Sequence, residues 1–350
     1  MAVATLHPTM PAADEPLTYV LPLKSATAQS AGDLTPYLHW LAERAEVIVV
    51  DGSAPSVFAE HARAWGDVVR HVAPAPDLAT PMGKVGGVLT GVRYASHERL
   101  IIADDDVRYD DVSLARVSAA LATADVVRPQ NYFTPLPWHA RWDSGRMLLN
   151  RLYGGDWPGT LGVRRSILRA TNGYDGRAMF ENLELVRTVL AAGGREAVPL
   201  DVFVARRPST TRHFFSQRVR QAYDELARPA RLASQLAVLP LGAIGAATIG
   251  WPAIAVAAGV VIVAAEIGRR RAGATSVFPI SAAFFAPAWV AERAVCSWLA
   301  VGSRLVLGGV PYRGTVLRHA ATPMRELRAR YAPAGRHAST PAHEPRRRSA

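Results

Sequence analysis

The sequence predicts an α/β domain built on a parallel sheet and followed by helices that meet a membrane. Three observations carry this expectation. Short apolar strand patterns alternate with helical ones through the first 230 residues, two of those strands run directly into carboxylates, and two long apolar runs lie beyond residue 231.

Leu17 to Leu21 reads as a strand, followed by a helix from about Leu34 to Arg44. Val47 to Val50 precedes a helix from Ser56 to Trp65, Val68 to Val72 one from Lys84 to Ala95, and Leu100 to Ala103 one from Val112 to Ala122. Such alternation argues for a parallel sheet covered on both faces, because parallel neighbours need crossovers long enough to hold a helix. Ligands bind such sheets beyond the carboxyl ends of the strands. VIVVDGS sets Asp51 at one such end and LIIADDDV sets Asp104, Asp105 and Asp106 at another, so the acids are expected to converge on one crevice. Adjacent carboxylates beside an apolar interior repel one another with little screening, and a cation or a proton is expected to offset them. A solvated acidic turn is the plainer alternative.

The net charge of +11 sits in the last third of the chain: residues 1–230 hold 25 basic and 25 acidic residues, residues 231–350 hold 15 and 4. No basic stripe interleaved with stacking aromatics accompanies it, so nucleic acid is not an expected partner. The basic residues flank apolar runs, as on the cytoplasmic side of a membrane protein. Leu232 to Gly250 is 19 residues without a charge, about 28 Å as a helix and close to the thickness of a bilayer core. Trp251 and Pro252 read as an interfacial turn, and Ala253 to Ala265 as a second run that ends at Glu266 and Arg269 to Arg271. The result is a hairpin over about 232–267 with both ends in the cytoplasm, as in a multi-pass protein of the cell (inner) membrane. Gly and Ala dominate and amphipathic periodicity is missing, which disfavours a buried helical pair in a soluble domain.

Beyond the hairpin, Thr275 to Ala291 holds two prolines, and Val295, Trp298, Leu299, Gly302, Leu305 and Val306 share one helical face with Arg293 and Arg304 off it. That is the pattern of an interfacial or re-entrant helix. The membrane region is therefore expected over 229–310, with a basic cytoplasmic tail over 311–350 that ends in a disordered RRRSA segment. Residues 1–15 lack the features of a signal peptide and read as a flexible N-terminus. The one cysteine, Cys296, cannot form an intramolecular disulfide, and no Cys/His spacing suggests structural zinc.

VIVVDGS, GKVGGVLTGVRYA and LIIADDDV, in this order, then WPGTLGVRRSIL at 157–168, NGYDG at 172–176, FENLELVRTVLAAGG at 180–194 and QRVRQ at 217–221, resemble the nucleotide-sugar domain of family 2 glycosyltransferases. The resemblance runs from about Leu17 to Arg228 and implies a GT-A (Rossmann-like) domain over 16–228. A membrane region after it is similar to ceramide glucosyltransferase and cellulose synthase relatives. By resemblance Asp104 and Asp106 match the family's D-x-D and would hold Mg²⁺ or Mn²⁺, with Asp104 nearer the ribose and Asp105 as the middle residue. Asp51 would contact the nucleobase, and Lys84 would help neutralise the diphosphate.

Two positions depart from the family. Its members read Glu-Asp where this chain has Glu181 and Asn182, and an amide cannot take the proton of an acceptor hydroxyl. Glu181 and Glu184, three apart on one helical face, are the base candidates, although Glu184 also reads as a surface charge. An anionic acceptor such as a lipid phosphate would need no base. In QRVRQ, Gln217 and Arg220 match the membrane relatives' Q-x-x-R-W, and Arg220 would clamp the diphosphate with its planar fork, but Gln221 replaces the tryptophan. His139 and His213 have no spaced partner. The resemblance implies an inverting, metal-dependent transfer of a sugar from a nucleotide-sugar donor to a lipid or membrane-associated acceptor. Asn182 and Gln221 keep open a catalytically silent GT-A scaffold that binds nucleotide sugar or partner proteins.

Overall fold

The computed structural model describes residues 16–28, 32–312 and 314–331, so the expected flexible N-terminus and the terminal part of the expected tail lie outside the described residues. The first half alternates as the sequence pattern requires: β1 (Leu17–Leu23), α1 (Leu34–Ala42), β2 (Glu46–Asp51), α2 (Pro55–Trp65), β3 (Arg70–Val72), α3 (Gly83–Tyr94), β4 (Arg99–Ala103), β5 (Val107–Arg108) and α4 (Asp111–Ala120). It continues with β6 (Val126–Val127), β7 (Gln130–Phe133), α5 (Trp138–Arg151), β8 (Thr160–Arg164), α6 (Arg165–Ala170), α7 (Glu181–Ala191), β9 (Glu196–Ala197), β10 (Phe203–Arg206), α8 (Thr211–Ser216) and α9 (Arg218–Tyr223). Then follow α10 (Pro229–Thr248), α11 (Trp251–Arg270), α12 (Ser281–Phe284), α13 (Ala286–Leu307), β11 (Val310–Tyr312), β12 (Thr315–Leu317) and α14 (Met324–Tyr331).

The main sheet has the order β3-β2-β1-β4-β8-β6-β9. Strands β3, β2, β1 and β4 are parallel, as expected, but β8 lies antiparallel between β4 and β6, so the sheet is mixed. The reversal has a use. An antiparallel β8 begins at the end where β4 finishes, pairing Thr160 with Ala103, and so delivers the WPGT loop to the carboxylates. A smaller sheet, β5-β10-β7, closes the same end from the other side.

Side chains alternate across the sheet with period two. Val20, Ile48, Val50, Leu100 and Ile102 bury one face with Val85 and Val88 of α3, while Tyr19, Leu21, Val47, Val49 and Ile101 bury the other with Leu38 and Leu41 of α1. The glycines of GKVGGVLTG let α3 lie close on the sheet: a Cβ at Gly91 would stand 2.3 Å from Val20 Cγ1, well inside contact distance.

Helices α10 and α11 are long and apolar enough to cross a membrane, with mean hydropathies of 1.3 and 1.9. Unlike the sheet-covering helices they leave their apolar sides open, including Leu241, Ile249, Val256, Val263 and, at the turn, Trp251 at 79%. A buried helical pair is therefore not what the chain forms. The turn is made by Gly250 at φ +87°, and Pro252 stands at the start of α11, where its missing N–H is no loss. The base of the hairpin is fixed to the α/β domain: Arg151 donates to the carbonyls of Gly268 and Arg271, and Arg271 returns a bond to the carbonyl of Arg151 at 2.6 Å. Helix α13 exposes Val295, Trp298, Leu299, Leu305 and Val306 but buries Arg293.

The described residues of the expected 311–350 tail fold back on the rest of the chain. Strand β11 pairs with β12, Ala178 bridges to His319, the Met179 N–H donates to the His319 carbonyl, and α14 packs on α7.

Candidate functional site

At the tip of β4 the carboxylates are offset by two cations from distant parts of the chain. Lys84 Nζ, on the first turn of α3, lies 2.5 Å from Asp104 Oδ1 and 2.7 Å from Glu181 Oε1. Arg206, at the end of β10, sets Nη2 3.2 Å from Asp104 Oδ2 and Nε 2.8 Å from Asp106 Oδ2. The Asp104 N–H donates to the Gly159 carbonyl at 2.8 Å. Gly159 lets these side chains lie close on the loop: a Cβ there would meet Asp104 Oδ2 at 2.7 Å and Arg206 Cζ at 3.0 Å, so one of them would have to shift.

The three acids are not equivalent. Burial would raise the Asp104 carboxyl, but Lys84 and Arg206 outweigh it and hold it below the ordinary range. Asp106 is pushed up, first by burial and then by Asp104, against the pull of Arg206. Asp105 is exposed, yet desolvation followed by the charges of Asp106 and Asp104 pushes it up to about 6. Asp106 Oδ1 is buried and has no hydrogen-bond partner. A hard oxygen donor left bare beside a second carboxylate fits a divalent cation.

A cavity of about 220 Å³ opens beside these acids, lined also by Arg206, Gln217, Gln221, His139 and His213. Glu181 begins α7 and is tied through Lys84 to Asp104. Asn182 turns away and donates its amide to the Pro158 carbonyl at 2.9 Å. Glu184 is fully buried rather than a surface charge. It accepts the Thr322 N–H at 2.6 Å, and burial holds its carboxyl above the usual range. Gln217 contacts His213 and Gln221. Arg220 stacks on the Tyr312 ring with Cζ 5.2 Å from the centroid, whereas its neighbour Arg218 lines the cavity and pairs with Asp143 at 3.1 Å. His139 is buried, with Nε2 against the Ser209 carbonyl at 2.8 Å.

Asp51 does not join this cluster. Its side chain has no exposure, and the sequence-based contact with a nucleobase meets a carboxylate already enclosed: His61 Nδ1 stands 2.6 Å and His71 Nε2 3.1 Å from Oδ2, and the Ser53 N–H donates to Oδ1 at 2.9 Å. Burial would raise this carboxyl, but bonds from His71, Ser53 and His61 together hold it well below the carboxylate range. The three side chains bring their ligand atoms within 4.8 Å of one another, a second set able to hold a metal ion. His61 stacks on Trp65 and His71 on Phe58, with 4.3 Å between centroids in each pair.

Sequence reasoning missed Arg206, Asp143, Arg218, His61 and His71. The pair Arg206-Arg207 closing an apolar strand was a signal for the first. His61 and His71 were signalled only by falling on a helix and strand that follow Asp51.

No protein-family model matches the chain, and no curated protein matches it. Solved structures do. A mannosyltransferase from Pyrobaculum calidifontis, in complex with GDP-Man and Mn²⁺, is 18% identical over 81% of this chain and 86% of its own, with a TM-score of 0.46. Mannosyl-3-phosphoglycerate synthase from Rubrobacter xylanophilus is 15% identical over 59% of this chain and 71% of its own, at 0.41. S. aureus TarS in complex with UDP-GlcNAc is 12% identical over 58% and 61%, at 0.40. All three TM-scores lie below 0.5, so the functional reading rests on the residues of this chain.

Proposed function

We propose that the chain is a membrane-attached glycosyltransferase of the GT-A type, which moves a sugar from a nucleotide-sugar donor to a lipid or membrane-associated acceptor with inversion. Residues 16–228 form the donor domain and 229–310 the membrane region, with α10 and α11 as the spanning hairpin and the donor domain on the cytoplasmic side. One observation supports the reading: Lys84 Nζ bonds both Asp104 and Glu181, so an acid of the D-x-D, a cation able to neutralise a diphosphate and a further carboxylate form one connected cluster.

Asp104 and Asp106 would hold Mg²⁺ or Mn²⁺, and the bare Asp106 Oδ1 is the oxygen that fits it best. A divalent ion bound there neutralises charge on a departing nucleoside diphosphate. Lys84 and Arg206 act in the same sense, as fixed cations in a partly desolvated cleft where their field is strong. Glu181 holds Lys84 in place and is positioned to take a proton from a hydroxyl acceptor. Asn182, bonded to the Pro158 carbonyl, is a structural residue in this reading.

That same bond favours the second reading, a silent scaffold that binds nucleotide sugar without turnover. Release of nucleoside diphosphate from a panel of nucleotide sugars, supplied with a membrane lipid extract and Mn²⁺, separates the two. Release that EDTA abolishes is expected. Saturable donor binding without release under every condition favours the scaffold.

A further inference from the structure

Beside the carboxylate cleft lies a second cavity, about 140 Å³, that shares Asp143, Arg206 and Gln221 with it. Five arginines line this cavity against Asp143, Asp224 and Glu225. Most are paired: Arg146 with Asp143 and Asp156, Arg228 and Arg231 with Glu225. Arg293 is not. It is 2% exposed, its Nε is buried without a partner, and among the described residues no hydrogen bond or ion pair reaches its guanidinium, which faces the Trp289 ring at 5.3 Å and feels the charges of Glu292 and Glu225 only from beyond contact distance. The Arg228 Nε is likewise buried and bare. A buried guanidinium without an anion is costly, and the cavity is the place from which an anion would reach it. Asp224 does not fill that role: burial and then the Glu181 charge push its carboxyl well up, and its Oδ1 is itself unpartnered.

Arg293 also borders a more apolar space. Together with Arg231 and Asn150 it lines a third cavity of about 500 Å³ whose walls include Leu149, Val238, Trp289 and Val290. Val238 and Val290 in turn wall a fourth, about 580 Å³, between the apolar helices α10, α11 and α13. Carboxylates, arginines and apolar helices thus follow one another through shared walls.

We infer that this series of cavities is the acceptor site, and that the acceptor is a lipid bearing a phosphate monoester, its phosphate among Arg293, Arg231, Arg228 and Arg146 and its chain along α10 and α13. The inference rests on the glycosyltransferase reading for its chemistry. A phosphate monoester carries roughly −1.5 to −2 charge at neutral pH, which suits a cavity wall in which arginines outnumber the acids. Its ionised oxygen supplies the electron pair that forms the new bond to the anomeric carbon, and the pair of the broken bond leaves with the nucleoside diphosphate. The product is a sugar phosphodiester. No proton moves, so a chain with Asn182 at the family's base position loses nothing.

The test is binding by the full chain in neutral detergent, without donor or metal. Probes are dodecyl phosphate, dodecanol and inorganic phosphate, followed by calorimetry. Dodecyl phosphate should bind saturably, and inorganic phosphate and dodecanol each roughly 100-fold more weakly, since one lacks the chain and the other the charge. Arg293→Met and Arg231→Gln should each weaken dodecyl phosphate by about tenfold or more. Unliganded Arg293→Met should melt no lower than the parent, and Arg231→Gln, at the cavity rim, serves if the first variant fails to fold. Equal binding of dodecanol, equal binding of inorganic phosphate, or parental affinity in folded variants overturns the inference. Because no turnover is measured, binding without sugar transfer faults the enzymatic reading alone, and transfer without binding faults the acceptor assignment alone.

Discussion

Strands β2 and β4 run parallel and flank β1; β2 ends in Asp51 and β4 runs out into Asp104, yet the two tips differ. At β4 the acids meet Lys84 and Arg206 in an open cleft and one carboxylate oxygen stays bare. At β2 the carboxylate of Asp51 is enclosed by His61, His71 and Ser53. An acid at a strand end is thus only half of a site. The other half is what the side chains brought against it leave: a bare carboxylate oxygen at β4, and at β2 a closed set of Asp51, His61 and His71 that is itself able to hold a metal ion. Asp51 is held down as Asp104 is, whereas Asp105 and Asp106 are pushed up, and this makes the comparison testable.

The largest effect should come from Asp106→Asn. Removing one preorganised charged group from such a centre typically costs about 10²–10³ in rate, and nucleoside diphosphate release in Mn²⁺ should fall by that much. The melting temperature should hold or rise, because a carboxylate that burial and Asp104 push up is gone. Full turnover with the same ion requirement would remove the distinction between the tips from the β4 side.

Asp51→Asn should do the reverse. Breaking buried hydrogen bonds to an enclosed carboxylate costs about 1–3 kcal/mol, read as a lower melting temperature without any ligand. The pH dependence has a definite sign. Because the folded-state value is depressed, the contribution of Asp51 is present above the ordinary carboxylate range and fades as pH falls below it, so the variant's deficit should shrink in acid. Unchanged stability together with lost nucleotide affinity would return Asp51 to the nucleobase role that its sequence motif suggests.

How much of this was legible beforehand follows from the range of the interactions. Strands β1 to β4 and helices α1 to α4 came out within a few residues, since apolar period and turn chemistry are local. The triple acid at β4 was legible for the same reason. Arg206 was not, because it reaches Asp104 across about a hundred residues through the pairing of β10 with β5, and no local pattern encodes that pairing. The reversal of β8 and the return of residues 310–331 to α7 were hidden likewise. Arg293 was legible as a charge off an apolar face. That it has no partner is a property of packing alone.

Glu181→Gln sharpens the β4 side further. Its carboxylate holds Lys84 at 2.7 Å, and losing one charged hydrogen bond costs about tenfold, whereas losing a general base costs about 10²–10⁴. With an acceptor that arrives ionised, the smaller figure is expected for kcat, with donor affinity shifted as Lys84 is freed. Glu184→Gln, which alters the buried bond to Thr322, should lower stability and leave kcat nearly alone. A drop beyond a hundredfold for Glu181→Gln would make it the base and point to a hydroxyl acceptor.

The smallest effect belongs to Asp105, the middle acid, which touches neither Lys84 nor Arg206 through any ion pair. Its folded-state carboxyl is pushed from 3.8 up to about 6 by desolvation and by Asp106 and Asp104. Between those values the folded chain keeps a proton that the unfolded chain has given up. Stability attributable to this residue is therefore full below about 4 and is lost as pH rises through about 6. Asparagine has no proton to lose. Asp105→Asn should match the parent in melts near pH 4 and exceed it above pH 6, by no more than about 1 kcal/mol because the residue is exposed and water screens it. A divalent ion on Asp104 and Asp106 would relieve the same repulsion, so adding Mn²⁺ should close most of the gap between variant and parent at pH 7.5. A gap that stays constant from pH 4 to pH 7.5 would mean that Asp105 does not feel its neighbours, and the electrostatic difference between the two strand tips would then rest on Asp106 alone.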